Sequence, residues 1–295
     1  MANGRKKVAR SALALATFDQ TFKLTLRELG LLDLNEQPFH ISADPRFLYL
    51  TDQHKAALSR LEDSIEWREG LSVIEGPIGA GKTIMARRLF DLSMQNSNIE
   101  PVYIHTANYV TPVSALRDIV THYRVDTRRS YLEKIRDFEK YLIELRKQNK
   151  NPVLIIDDAQ LMAPSSLQPI QDFLNFDLSS KLIQIILFGQ LEIHRNFSKN
   201  PALLDRVVFW HKLGPLTYAE TVRMIQFRLT VAGRLKPLFT DRAIELLYEA
   251  SKGVPRPLMI ICSETLHIIA EKGRFEADEG EVRQAIESYN ERYEE

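Results

Sequence analysis

The sequence predicts an α/β protein: a parallel five-stranded sheet flanked by helices over residues 44–214, then an all-helical lid and tail over 215–295. Residues 1–43 read as an N-terminal arm or adaptor. Three observations predict this. Apolar runs of strand length alternate with segments of helical spacing. A glycine-rich string, Gly76 to Thr83, lies where one such run gives way to a helix. After Gly214-Pro215 the strand-like runs stop and helical spacing continues.

Thr51 is placed to cap a helix running to about Glu69, with Ala57, Leu58, Leu61 and Ile65 on one face. Leu71–Glu75 reads as the first strand, and a helix follows from Lys82 to about Met94. Pro101–His105 is the second strand. Leu132, Ile135, Phe138, Leu142 and Leu145 mark an amphipathic helix over about 130–147. Val153–Ile156 and Leu182–Phe188 are apolar on both faces, as strands in the middle of a parallel sheet must be. Val207–Trp210 is the fifth strand. In the helical region, Thr217 and Glu220 form a capping-box pair and Thr240 opens the next helix. Two further helices are expected over 255–271 and 278–291.

The 295 residues are 44% hydrophobic and 26% charged, which is ample for a sizeable core. The net charge is +0 and the pI about 7.1, so the molecule as a whole is not a polycation seeking nucleic acid, although a neutral total still permits a basic groove. The single cysteine, Cys262, sits in an apolar run and permits no intrachain disulfide; a reducing compartment fits. Arg5, Lys6, Lys7 and Arg10 precede a short apolar stretch, Ser11–Ala16, that Phe18-Asp19-Gln20 interrupts. It reads as a basic arm rather than a secretory leader. No run reaches the roughly 20 apolar residues of a membrane span, and the expected location is cytoplasmic, with no membrane partner.

The string Gly76-Pro77-Ile78-Gly79-Ala80-Gly81-Lys82-Thr83 carries the chemistry. Its glycines let backbone N–H groups converge on phosphate oxygens, and the helix that follows adds its positive end. Lys82 reaches the β- and γ-phosphates, the Thr83 hydroxyl ligates Mg2+, and Ile84 continues the binding segment into the helix. Such a site needs an acidic partner at the end of a buried strand. Asp157, after Val153–Ile156, supplies it as the metal residue, and Asp158 is placed to orient and polarise the attacking water. Charge developing on the γ-phosphate asks for a cation, and the candidates are Arg206 and Arg256. Gln190, at the end of the fourth strand, is positioned for the γ-phosphate or its water. A guanine reader of the Asn-Lys-x-Asp type is missing; Ser198-Lys199-Asn200-Pro201 does not match it. The expected cofactors are therefore ATP and Mg2+.

The phosphate loop, Ile155-Ile156-Asp157-Asp158-Ala159-Gln160, Gln190, Arg206 and Gly253-Val254-Pro255-Arg256 together resemble AAA+ ATPases. Asp44–Leu50 and Leu187-Phe188-Gly189-Gln190 are similar to the branch holding the secretion ATPase ExeA and the transposition regulators TniB and TnsC. That resemblance implies an arginine finger at Arg206, serving the next protomer, and a lid arginine (sensor 2) at Arg256. It implies sensor 1 at Gln190 and an adenine-side segment around Phe47–Leu50 that includes Tyr49. Most of the branch carries glutamate where this chain has Asp158; the shorter side chain implies slow turnover. Because the chain ends at Glu295 without a membrane segment, the expectation is a TnsC-type regulator of a Tn7-like, possibly CRISPR-associated, transposon. Such a regulator oligomerises on double-stranded DNA as a ring or helical filament and links a target-site selector to a transposase. The alternatives are a secretion ATPase, a helicase loader, or an ATP-gated scaffold with little hydrolysis. The loop after the second strand, with Asn108, Tyr109 and Thr111, and the basic residues Arg124, Arg128 and Arg129 are the expected DNA contacts, mainly to phosphates.

Overall fold

Five strands of mostly β-branched and apolar residues form one all-parallel sheet in the order β2-β3-β4-β1-β5. They are β1 (Leu71–Glu75), β2 (Ile99–Ile104), β3 (Asn151–Ile156), β4 (Gln184–Gly189) and β5 (Val207–Lys212). The protein is described by a computed structural model that covers residues 24–41, 44–125, 130–177 and 180–293. β1, β3 and β4 are buried along their whole length, while β2 and β5 are only partly buried. That is the pattern expected of three central strands and two edge strands. The fold is the AAA+ P-loop fold, a parallel five-stranded sheet flanked by helices with a helical region after it.

The order places β4 between β1 and β3, in register Val73↔Leu187 on one side and Ile156↔Leu187 on the other. The carboxyl ends of β1, β4 and β3 therefore lie side by side, and three segments distant in sequence share one edge. Ligands of open parallel sheets bind at this edge.

The chain divides into two compact units, Asp52–Gly214 and the residues before and after it. In the first unit, α2 (Asp52–Glu66), α3 (Lys82–Gln95), α4 (Pro112–His122) and α5 (Tyr131–Lys147) accompany the sheet, with the short helices α6 (Gln168–Phe173), α7 (Ile193–Ser198) and α8 (Pro201–Leu204). Thr111 and Ser130 cap α4 and α5 through reciprocal bonds with Ser114 and Glu133. The core joins Leu71, Val73, Ile104, Leu116, Phe138, Leu154, Phe173 and Leu187.

The second unit holds α9 (Tyr218–Val231), α10 (Asp241–Ser251), α11 (Pro255–Glu271) and α12 (Glu279–Tyr293). Thr217 and Glu220 form the capping box of α9, and Thr240 caps α10. This unit also contains α1 (Leu26–Leu31) and the irregular segments 32–41 and 44–51. Residues 24–41 and 44–51 belong to this helical core, so neither a separate arm over 1–43 nor a place for 44–51 with the α/β unit matches the division of the chain. Leu29, Leu32, Leu34, Phe39 and Phe47 are buried among Leu229, Phe239, Leu258 and Ile261. Two buried arginines hold the irregular backbone. Arg228 donates to the carbonyls of Pro38 at 2.9 Å and His40 at 3.1 Å, and Arg234 to that of Leu32 at 2.7 Å. An irregular segment satisfied by donors distant in sequence has no single hydrophobic period, which is why its packing is hidden from periodicity. Residues 1–23 lie outside the described residues. Among those described, no helix is long and apolar enough to cross a membrane.

Candidate functional site

The glycine loop runs from the end of β1 into α3. Gly79 and Gly81 both have positive φ, 82° and 93°, and Gly81 is the N-cap of α3. A side chain at Gly81 would be strained by the backbone and would stand 3.2 Å from the His54 ring. His54, buried on α2, meets the carbonyl of Ala80 at 3.1 Å and so braces the loop from behind. Lys82, the first residue of α3, is buried; its ammonium donates to the carbonyls of Gly76 and Pro77, each at 2.8 Å. The ammonium is thus folded across the loop, beside the N-terminus of a helix of 14 residues whose dipole favours anions. Ile78 projects outward and is exposed, while Ile84 is half-buried in the first turn of α3.

Asp157 follows β3 and is buried. The Thr83 hydroxyl is near enough to favour the charged form of this carboxylate, so the first turn of α3 and the end of β3 come together here. The Tyr103 hydroxyl, on the neighbouring strand β2, donates to Asp157 Oδ2 at 3.2 Å, and the backbone N–H of Asp158 donates to Oδ1 at 2.9 Å. Burial pushes the Asp157 carboxyl above the usual carboxylate range and the Asp158 charge adds to this; the Thr83 hydroxyl, the Asp158 N–H and the Tyr103 hydroxyl work against it. Burial and the same carboxylate hold the Tyr103 phenol protonated, well above its usual range, with Arg87 acting in the opposite sense. A hydroxyl and a carboxylate in contact are hard oxygen donors, the set that Mg2+ takes beside phosphate oxygens. Among the described residues no cluster of three or more His, Cys, Asp or Glu is placed to hold a metal ion. The donor set therefore fits an ion shared with a phosphate rather than one caged by protein alone.

Asp158 adopts the left-handed conformation, φ 51° and ψ 35°, and opens a 3-10 turn, Ala159–Leu161. Aspartate is among the few residues that tolerate this conformation. The turn swings the chain toward the end of β4. There Gln160 Nε2 donates to Asp158 Oδ1 at 3.0 Å, and Gln160 Oε1 accepts the Gln190 backbone N–H at 2.9 Å. Asp157, Asp158, Gln160 and Gln190 thus form one hydrogen-bonded run across the ends of β3 and β4.

The remaining sequence-derived residues fall elsewhere. Arg206 lies in the α/β unit just before β5 and donates to the Gln171 carbonyl at 3.1 Å. Arg256 is half-buried in the first turn of α11, in the helical unit. Tyr49 is also in the helical unit; its hydroxyl accepts from Arg223 Nε at 3.2 Å and its ring lies 5.6 Å from that of Phe227. Tyr109 was expected to face DNA, and the structure corrects this. It is buried beside Ala107, Leu116 and Ile119, and its hydroxyl donates to Asp118. Its aromatic ring joins the core because the loop turns inward between two exposed neighbours, Asn108 and Val110. Asn108 is exposed; Thr111 is exposed and caps α4. Arg124 is exposed, and Arg128 and Arg129 lie outside the described residues.

Three residues of the site had no assigned role in the sequence. Tyr103 and His54 become visible only when strand order and helix packing bring them in. Gln160 stands two residues beyond the acidic pair, and that proximity was the signal available.

Residues 66–197 match the family model described as an AAA domain. The chain is 28% identical over 262 residues to General secretion pathway protein A of Aeromonas hydrophila, covering 84% of this chain and 46% of that protein. It thus spans less than half the length of that curated relative. Among solved structures it is similar to the ORC2 protein of Aeropyrum pernix in ADPNP–ADP complexes, with a TM-score of 0.60 at 16% identity, covering 82% of this chain and 70% of that one. It is also similar to the ORC1 protein of Aeropyrum pernix in complex with DNA, with a TM-score of 0.58 at 14% identity, covering 83% and 67%. Likeness at these identities concerns the fold.

Proposed function

We propose that this chain is a Mg2+-dependent ATP-hydrolysing AAA+ module that binds double-stranded DNA, assembles with copies of itself, and regulates transposition. In that role it links a target-site selector to a transposase. The observation that carries the nucleotide reading is the approach of two elements: Lys82, folded across the glycine loop at the start of α3 and followed by Thr83, and the buried Asp157 at the end of β3, whose charged form Thr83 favours. Lys82 balances phosphate charge, and the N–H groups of the loop receive the phosphate oxygens. Thr83 and Asp157 would hold Mg2+, which supplies charge compensation on the phosphates when bound. Asp158 orients the attacking water and accepts its proton, and Gln190 lies beside it at the end of β4. Arg206 would serve a neighbouring copy and Arg256 the helical unit's share of the nucleotide, with Tyr49 beside the adenine. A short carboxylate on a left-handed residue favours slow turnover.

DNA binding rests on the likeness to an ORC1 protein described in complex with DNA, and on the exposed residues Asn108, Thr111 and Arg124. The transposition role rests on Asp44–Leu50 and Leu187–Gln190, which resemble regulators of that kind. A second reading, the ATPase of a secretion system, is favoured by the similarity to General secretion pathway protein A.

The test is phosphate release with and without double-stranded DNA and a Mg2+ chelator, paired with microscopy in a slowly hydrolysed ATP analogue. Chelator-sensitive, DNA-stimulated release with rings or filaments on DNA is the expected result. Release indifferent to DNA, with no assembly on it, would sink the DNA and transposition parts and favour the secretion reading. ATP-dependent DNA binding with no phosphate released would replace hydrolysis by a nucleotide-gated scaffold.

A further inference from the structure

We infer that Gln160 is a positioning residue that fixes the Asp158 carboxylate to the end of β4, so that Asp158 is aimed only when the Gln190 segment is in place. This deepens the hydrolytic reading above and rests on it.

The Gln160 amide has one possible orientation. The backbone N–H of Gln190 can only donate, so the Gln160 atom facing it at 2.9 Å must be the carbonyl oxygen. The amine end then faces Asp158 Oδ1 at 3.0 Å and donates to it. One side chain therefore spans the ends of two adjacent strands, receiving a proton from one and giving one to the other.

Its own backbone is held as well. Asn196, on α7, donates to the carbonyls of Gln160 at 3.2 Å and Met162 at 2.9 Å. At the end of β4, a side chain on Gly189 would meet Ile193 Cδ1 at 2.9 Å and the Gln160 backbone nitrogen at 3.3 Å. The bare glycine is what lets the 3-10 turn approach so closely. Gln160 is thus anchored by α7 and by the end of β4, whereas Asp158, in a left-handed conformation, makes no side-chain cap bond to its own turn. Movement of the Gln190 segment against a nucleotide would pass through this amide to the carboxylate that aims the water.

Two variants dissect the relay. Gln160→Glu keeps length and the acceptor for Gln190 but cannot donate to Asp158 when ionised. Gln160→Met keeps length and loses both bonds. Each is measured for kcat, for KM, and for affinity toward a fluorescent ATP analogue. The expected result is a kcat lower by about tenfold in both, with KM and analogue affinity within about twofold of the unaltered protein. Preserved affinity also shows that each variant is folded. An unchanged kcat in Gln160→Glu overturns the positioning role, as does a loss that falls equally on KM and analogue affinity. If the unaltered protein binds the analogue and releases no phosphate, the hydrolytic reading itself fails, which is distinguishable from failure of Gln160 alone.

Discussion

The α/β unit and the helical unit both bury charged side chains, but they use them in opposite ways. In the helical unit, Arg228 and Arg234 point at backbone carbonyls of the irregular N-terminal chain. Burial lowers the Arg228 guanidinium to about 10, because its surroundings disfavour the charge that those carbonyls offset. Glu281 meets Arg274 at 2.6 Å and Lys272 at 3.3 Å, and Glu264 meets Arg292 at 2.7 Å. These groups face structural partners. In the α/β unit, buried Lys82 and Asp157 sit at a loop and a strand end, close to exposed or half-buried neighbours, and Asp157 is held partly against its own ionisation. A buried charge surrounded by its partners stabilises a shape. A buried charge at the open edge of a parallel sheet is arranged for something that arrives there.

That contrast can be broken by substitution, and the largest effect belongs to Lys82→Ala. Loss of a charge-assisted contact to phosphates weakens nucleotide binding by roughly a hundredfold, read by fluorescent-analogue titration, and this loss exceeds what the two carbonyls deprived of their donor cost in unfolding. A variant that unfolds instead would place Lys82 with the structural charges. For Arg228→Met the expectation reverses: a loss of about 3 kcal/mol in chemical denaturation, because two backbone carbonyls lose their donor. Nucleotide affinity that falls as steeply as stability would contradict the division.

Asp157→Asn sharpens the comparison from the other side. Its folded-state pKa is raised, so ionising it destabilises the folded chain; this penalty is absent below the ordinary carboxylate range and sets in as pH rises through it. At neutral pH, without nucleotide or metal, the variant should melt higher than the unaltered protein while losing Mg2+-dependent phosphate release. A lower melting temperature at neutral pH would show that the hydrogen bonds to Asp157 outweigh its burial. The smallest expected effect is Thr217→Ala, which removes the α9 cap and costs about 1 kcal/mol, seen as a modest shift of the denaturation midpoint. Any change in phosphate release beyond that shift would tie the helical unit to the chemistry more directly than its packing implies.

Much of the fold could be read from local signals. β1, β3 and β4 announce themselves because central strands of a parallel sheet are apolar on both faces. The caps at Ser130, Thr217 and Thr240 are equally local, each a hydroxyl beside its own helix. The helix α4 went unassigned, although Thr111-Pro112 marks its start, because the exposed Val113 blurs its apolar face. Tyr109 misled for a related reason: a polar-looking loop gives no hint that one ring in it turns into the core.

The sequence by itself determined the phosphate loop, the acidic strand end and the succession of strands and helices, because each depends on neighbours a few residues away. Tertiary structure alone decided which ends meet. Inserting β4 between β1 and β3 brings Thr83 to Asp157 and Gln190 to Gln160, and β2 delivers Tyr103 to the same carboxylate. It also decided that residues 24–41 and 44–51 pack with the helices, since carbonyls among them find donors on arginines about two hundred residues away. Strand order and long-range hydrogen bonding depend on the free energy of the whole chain packed at once, and no local pattern encodes them.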